Sequence, residues 1–293
     1  MLAVERHSFV AMGVAVELLV AVERLCPPDV FDTVEAAVRR LERIFSRFLW
    51  DSELSHLNRN GADEVGDELL EVIELAVAAR ERTGGRFDPT VHDAVVAAGY
   101  DRDFDDVVRS GPGPDRGPAR CAGSVTIDRA RRRVALEPGY RLDLGGIAKG
   151  YAVDRACDLL ADAGPCLVNA GGDLSVRGMR SGEPWPVAVD GPGEPLVLAL
   201  AHGAIATSGS DGRCWRRGGR ELHHIVDPRT GLPSTSDLVR VTVVADTAVA
   251  AEVSAKALFL SGFHAAVREA DALSLPAVLL RRDGRRVLAG GLG

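Results

Sequence analysis

The chain has 293 residues, 46% of them hydrophobic, and a formal net charge of −7, so it can bury a sizeable core in one large domain or two small ones. Its arginines are scattered rather than gathered into a stripe, which argues against nucleic-acid binding. The apolar N-terminal run is interrupted by Glu17 and lacks a basic leader or cleavage site, and the five cysteines have no C-x-x-C spacing; no signal peptide, membrane span, disulfide framework or zinc site is expected, and the thiols read as reduced in the cytoplasm.

From the N-terminus, residues 7–11 and 14–22 alternate in character and predict two strands or one bent strand, with Met12-Gly13 at the break. The Met12 thioether suits either a flat ring or a core. Pro27-Pro28-Asp29 opens a helix whose apolar stripe is Val30, Phe31, Val34, Val38, Leu41, Ile44, Phe45 and Phe48. Phe48-Leu49-Trp50 then runs into Asp51 and Ser52, which cap a short helix ending near Asn58. A further helix is predicted over Asp67–Arg82, stopped by Thr83-Gly84-Gly85. Residues 86–90 follow as an extended turn, because a residue before proline avoids the helical region. Asp88 is placed to cap a helix that starts near Pro89 and gives out at Gly99. The glycine- and proline-rich part of 101–123 reads as an exposed, flexible loop.

Residues 124–127 and 133–136 predict a hairpin that leads into the central stretch, residues 141–178. There Ala148, Tyr151, Ala152, Ala156, Leu159, Leu160 and Ala163 recur at helical spacing. Gly145 and Gly146 precede this helix and let backbone amides approach an anion at its start. Gly164-Pro165 stops it, a short strand follows at 166–169, and Gly171-Gly172-Asp173 turns the chain into Leu174-Ser175-Val176. Asp143, Lys149, Asp154, Asn169 and Asp173 gather at this junction. Taken as residues alone, they fit a solvated helix end with an ion pair as well as they fit a binding site. The glycines do not follow G-x-G-x-x-G, which excludes a Rossmann unit.

Short strands are predicted at 187–189, 196–201, 204–206 and 238–245, with a hydroxyl-rich turn at 207–210 and a strand end running into a turn at 223–231. A helix over Ala248–Ser261 and a hairpin of 276–280 with 287–289 close the chain. Strands and helices do not alternate strictly, so the expected fold class is α+β, with mostly antiparallel sheets packed against helices.

In order along the chain stand Met12-Gly13, FSRFLWDSELSHLN (45–58), TGGRFDPTV (83–91), DLGGIAKGYAVD (143–154), NAGGDLSVRG (169–178), ATSGS (206–210), HHIVDPRTG (223–231) and VVADTAVAAEVSAKALFLSG (243–262). Together these motifs resemble the ApbE-type flavin transferases over most of the chain. The resemblance implies one ApbE-like domain over 1–293. Such a domain binds FAD and Mg²⁺, moves the FMN half onto a Thr or Ser hydroxyl of an acceptor flavoprotein, and releases AMP. It places FAD contacts at Met12, Phe48, Arg86, Phe87, Asp88, Asp143, Lys149 and Ile225. His224 matches the family histidine, with Asp227 the next candidate for the base. The metal positions fall on the Gly146 carbonyl, Glu252 and Lys256. An imidazole titrating near neutrality suits deprotonating a hydroxyl, and an ammonium suits a pyrophosphate.

The chain also departs from the family pattern. Phe48 replaces a Tyr, Arg86 replaces a small residue, and AEVSAKA (251–257) stands where the family reads like A-D-A-L-S-T-A. Lys256 thus puts an ammonium where an oxygen ligand is expected, on the same helix face as Glu252, with which it can pair. The expectation is that Lys256 points inward and repels or replaces the cation; the alternative is that it snorkels outward and leaves a metal to Glu252 and Gly146. The competing functions are a catalytically silent FAD-binding protein with an altered metal site, and an FAD pyrophosphatase. Neither nucleic acid nor membrane is an expected partner.

Overall fold

The structure, a computed structural model, describes residues 2–23, 29–107, 110–111 and 117–292. Its first strands, Ala3–Ala11 and Val14–Val22, pair antiparallel with Ala11 opposite Val14. Met12 and Gly13 between them have φ of 55° and 68°, the left-handed pair that a two-residue hairpin turn requires. The Met12 N–H donates to Glu42 Oε1 at 2.6 Å, tying the turn to helix α1 (Val30–Phe45).

This hairpin begins an eight-stranded sheet whose strands lie side by side in chain order: Ala3–Ala11, Val14–Val22, Cys166–Ala170, Asp173–Arg177, His202–Gly209, Leu238–Ala245, Ala277–Arg281 and Arg286–Ala289. Every pairing in it is antiparallel. Successive side chains on a strand face opposite ways, and in the second strand Val16, Leu18 and Val20 enter one core while Leu19 and Ala21 enter another. The first core is closed by α1 and α5 (Ala148–Ala161), through Val34, Val38, Ala156 and Leu160. The second is closed by a hairpin of Trp185–Val189 with Leu196–Leu200.

Between the second and third strands the chain inserts α1, α2 (Glu53–Asn60), α3 (Asp67–Arg82), α4 (His92–Ala97) and α5, with a small sheet of Ala62–Glu64, Arg133–Leu136 and Val125–Asp128. Leu54, Leu57, Leu69, Ile73 and Val134 pack there in one cluster, each buried side chain stabilising by about 1.5–3 kcal/mol. After the sixth strand come α6 (Ala248–Ser261) and α7 (Phe263–Ala272). A Cβ at Gly150 would lie 2.8 Å from the backbone of Ala248 and Val249, so only glycine lets α5 cross the start of α6 this closely. Asp154 secures the same crossing by accepting the N–H groups of Ala248 and Val249 at 2.9 and 3.1 Å.

Several expectations shift. Helix α1 ends at Phe45, where Ser46 turns extended, so Phe48 leaves the helical stripe. Pro27, Pro28 and Cys26 lie outside the described residues, as does 112–116 of the glycine- and proline-rich segment. Helix α2 runs on to Asn60, with Ser52 capping it through the Ser55 N–H at 2.9 Å. Helix α4 starts at His92 rather than Pro89, because Asp88 is spent elsewhere: its Oδ1 accepts from the Thr90 N–H and hydroxyl at 2.8 Å, and its Oδ2 from the Ala122 N–H at 2.7 Å. The expected turn at 207–210 is mostly strand, since Thr207 pairs with Thr242 across the sheet. Helix α7 and the hairpin of Cys214–Arg217 with Arg220–His223 were not anticipated. Cys121, Cys157, Cys166 and Cys214 are free. No helix of the described residues is long and apolar enough to cross a membrane.

Candidate active site

The Met12-Gly13 turn, the start of α5 and the segment after His223 enclose a cleft with two lobes, of about 510 Å³ and about 670 Å³. Gly145, Lys149, Arg213, His224 and Lys256 line both lobes and form the waist between them. The first lobe has an aromatic and apolar wall of Met12, Phe45, Phe48, Tyr100 and Ile225 facing Glu42, Arg47 and Asp143; the second mixes Asn169, Asp173, Asp211, Arg240 and Thr242 with Leu167, Leu174, Val187 and Ile205.

Lys149 enters the waist from the first turn of α5. Its Nζ lies 2.5 Å from Asp173 Oδ2 and 2.6 Å from Glu252 Oε1. The other oxygens of both carboxylates are also engaged: Glu252 Oε2 accepts the Gly150 N–H at 2.9 Å, and Asp173 Oδ1 the Thr207 N–H at 3.3 Å. Burial opposes the charge on Lys149, yet the two carboxylates outweigh it and raise the ammonium's pKa. Burial pushes Asp173 up, against the pull of Lys149 and with the help of Glu252.

Asp143 is held similarly, with Oδ2 2.9 Å from Arg47 Nε and Oδ1 accepting the Gly145 N–H at 2.7 Å. Burial alone would raise its pKa, but Arg47 and the Gly145 amide bring it below the usual carboxylate value. The Arg47 guanidinium stacks between two rings, 4.1 Å from the centroid of Phe48 and 4.7 Å from that of Tyr100, and so fixes the aromatic wall of the first lobe.

Lys256 points inward from α6. A Cβ on Gly146 would meet its Nζ, so the ammonium lies directly against that glycine at the waist. The expected Glu252–Lys256 pair does not form, because Glu252 is taken by Lys149 and the Gly150 amide. Among the described residues neither Lys256 nor Arg213 has a hydrogen bond or ion pair. Burial lowers the pKa of Lys256 against the pull of Glu252.

His223 and His224 separate cleanly. The His223 ring is satisfied, with Nε2 2.9 Å from the Ser234 carbonyl and Nδ1 accepting the Ile225 N–H at 3.3 Å. His224 lines the cleft, its ring edge-on to Tyr100 at 6.4 Å, and its buried Nδ1 has no partner. Burial, helped by the charges of Lys256 and Arg213, lowers its pKa well below 6.5.

Of the residues singled out in the sequence, Met12, Phe48, Asp143, Gly146, Lys149, His224, Ile225, Glu252 and Lys256 meet at the cleft. Arg86, Phe87 and Asp88 lie outside its lining. Arg86 binds Glu269 on α7 (Nη2 to Oε1, 2.7 Å) and the Thr83 carbonyl (2.8 Å). Phe87 is buried behind Gly146, and Asp88 staples its own turn. Asp227 also lies outside the lining, its carboxylate accepting from Arg229 Nε and Nη2 at 2.9 and 2.8 Å. The sequence reading missed Arg47, Tyr100 and Arg213. Arg47 stood beside Phe48 in FSRFLW, whereas nothing local marks Arg213.

Comparison with known proteins identifies the family. The ApbE family model matches residues 12–279. The chain is 31% identical over 249 residues to the FAD:protein FMN transferase of Klebsiella pneumoniae (strain 342), covering 75% of this chain and 67% of that one. It is 29% identical over 270 residues to the protein of the same name from Salmonella typhimurium, covering 82% and 73%. The crystal structure of the ApbE protein from Thermotoga maritima superposes with a TM-score of 0.85 at 27% identity, over 98% of this chain and 97% of that one. With the family model matching residues 12–279 and the fold shared over nearly the whole length, the chain belongs to the ApbE family.

Proposed function

We propose that this chain is an FAD:protein FMN transferase that moves FMN from FAD onto a Thr or Ser hydroxyl of an acceptor flavoprotein and releases AMP, with residues 1–293 acting as one unit. Relatives bear that name. The observation that carries the reading for this chain is the two-lobed cleft with cations and an imidazole at its waist. A flavin dinucleotide has two flat ends joined by a diphosphate, and the cleft offers a lobe with an aromatic wall, a cationic waist and a lobe of mixed polar and apolar lining in the same order.

Met12, Phe48 and Tyr100 provide the surface for a flat ring. Lys149, Arg213 and Lys256 face the diphosphate. His224 is neutral near pH 7 because its charged form is disfavoured, which leaves it free to accept a proton. The acceptor hydroxyl gives its proton to His224 while its oxygen bonds to the FMN phosphorus. The bond from that phosphorus to the bridging oxygen breaks, and AMP leaves with the electron pair. The cations of the waist stabilise the charge that develops on the diphosphate oxygens.

Incubating the protein with FAD and a panel of flavoprotein acceptors, followed by peptide mass mapping, tests the reading. FMN should appear on a Thr or Ser together with equimolar AMP. FMN and AMP released without an acceptor would make the chain a pyrophosphatase, and FAD retained without AMP would make it a binding protein.

A further inference from the structure

The residues at the waist do not fit the divalent cation that the family resemblance implies. Such a cation needs several oxygen ligands held open toward it. Each carboxylate near the waist has both oxygens committed to protein donors: Asp143 to Arg47 and the Gly145 amide, Asp173 to Lys149 and the Thr207 amide, and Glu252 to Lys149 and the Gly150 amide. The position one turn beyond Glu252, where an oxygen would complete the set, holds the Lys256 ammonium. That ammonium is pressed against Gly146, the residue whose carbonyl would be a further ligand.

Lys256 is therefore not a neighbour of a metal site but the occupant of its place. Two features show a position shaped for it. Glycine at 146 leaves room beside Nζ, and Lys149 engages Glu252, so that among the described residues Lys256 has no carboxylate in direct contact. Arg213, which also lines both lobes, is likewise without a hydrogen bond or ion pair among the described residues. An ammonium and a guanidinium that no described residue pairs, both lining the cleft, are complementary to a diphosphate.

Resting on the reading that the substrate is a dinucleotide, we infer that Lys256 stands in for the divalent cation, so that the chain binds the diphosphate of its substrate through fixed protein cations and without a metal. One ammonium offers three donors and a single positive charge. It can hold and neutralise a phosphate oxygen, but it cannot bridge two phosphates as an ion with several open positions does. Arg213, whose planar fork binds two oxygens at once, supplies that bridging function.

Calorimetric titration of the native protein with FAD, and separately with inorganic pyrophosphate, in EDTA and then in millimolar Mg²⁺ tests the inference. Native affinity in EDTA should lie within about threefold of that in Mg²⁺. Lys256→Met, which keeps the length and apolar stem of the side chain, should weaken binding in EDTA by about tenfold or more, the loss expected for a charged hydrogen bond. A thermal melt checks that this variant is folded, and Lys256→Arg, which keeps the charge, should retain most of the affinity. Native affinity rising tenfold or more on adding Mg²⁺, Lys256→Met binding as tightly as the native protein, or no binding in EDTA would each overturn it. Failure of FMN transfer alongside metal-independent binding would instead count against the proposed reaction and leave the role of Lys256 standing.

Discussion

His223 and His224 are adjacent in sequence, yet their surroundings give them opposite chemistry. A ring with both nitrogens engaged, as in His223, has no lone pair to offer, whereas His224 keeps one nitrogen buried without a partner. His224→Ala should therefore lower FMN transfer by about 10²-fold or more while FAD binding measured by flavin fluorescence stays near native. Because its folded pKa is depressed, His224 is neutral above that value and gains a proton only below it. The acid limb of transfer rate against pH should fall below 6.5, and a limb above 6.5 would place the base elsewhere. Lys149 is a different case, a cation between two buried carboxylates. Lys149→Met leaves each with one backbone N–H but no cation and should cost about 3–5 kcal/mol of stability. Burial already raises the folded pKa of Asp173 against the pull of Lys149, and without Lys149 that rise loses its main opponent, so the folded variant takes up a proton more readily than the unfolded chain. That variant's deficit in melting temperature should shrink as pH falls.

Helices α5 and α6 set the spacing between Lys149 and Lys256, and their crossing depends on Gly150. Gly150→Ala improves helix propensity by up to about 1 kcal/mol, but its Cβ would stand 2.8 Å from the Ala248 carbonyl, which cannot rotate aside as a side chain can. The overpacking should dominate at about 1–3 kcal/mol, giving a lower melting temperature. Elements with strong local signals were legible at this scale. Helix α3 carries an apolar stripe and α6 an apolar run buried nearly all round, each ends near a glycine, and both span the predicted residues. Helix α7 was hidden because Gly262 both ends α6 and caps the helix that follows. The strand His202–Gly209 looked like a turn at its end, since hydroxyl-rich residues favour turns locally while the sheet partner Thr242 decides otherwise.

At the scale of the molecule, the sheet follows chain order and the long insertion after its second strand folds back to bring α5 against the first hairpin. This places residues from Met12 to Lys256 around one cleft. The α+β class was legible because strand and helix patterns did not alternate, and much of the site was legible because its motifs sit at breaks between elements. What escaped depends on long-range contact: the Arg47–Asp143 pair, the Lys149 bridge from α5 to α6, and Arg213 arriving from a separate hairpin. Arg86 and Asp88 are engaged away from the cleft lining for the same reason, since their partners Glu269 and Ala122 are distant in sequence. Transfer itself is tested most directly by following AMP and the FMN–acceptor adduct in one reaction, with native protein and His224→Ala side by side. Base catalysis at His224 predicts that both products appear together, only with acceptor present, and that both are lost in the variant while FAD remains bound. AMP accumulating at the same rate without acceptor, or an adduct formed by His224→Ala as fast as by the native protein, would contradict it.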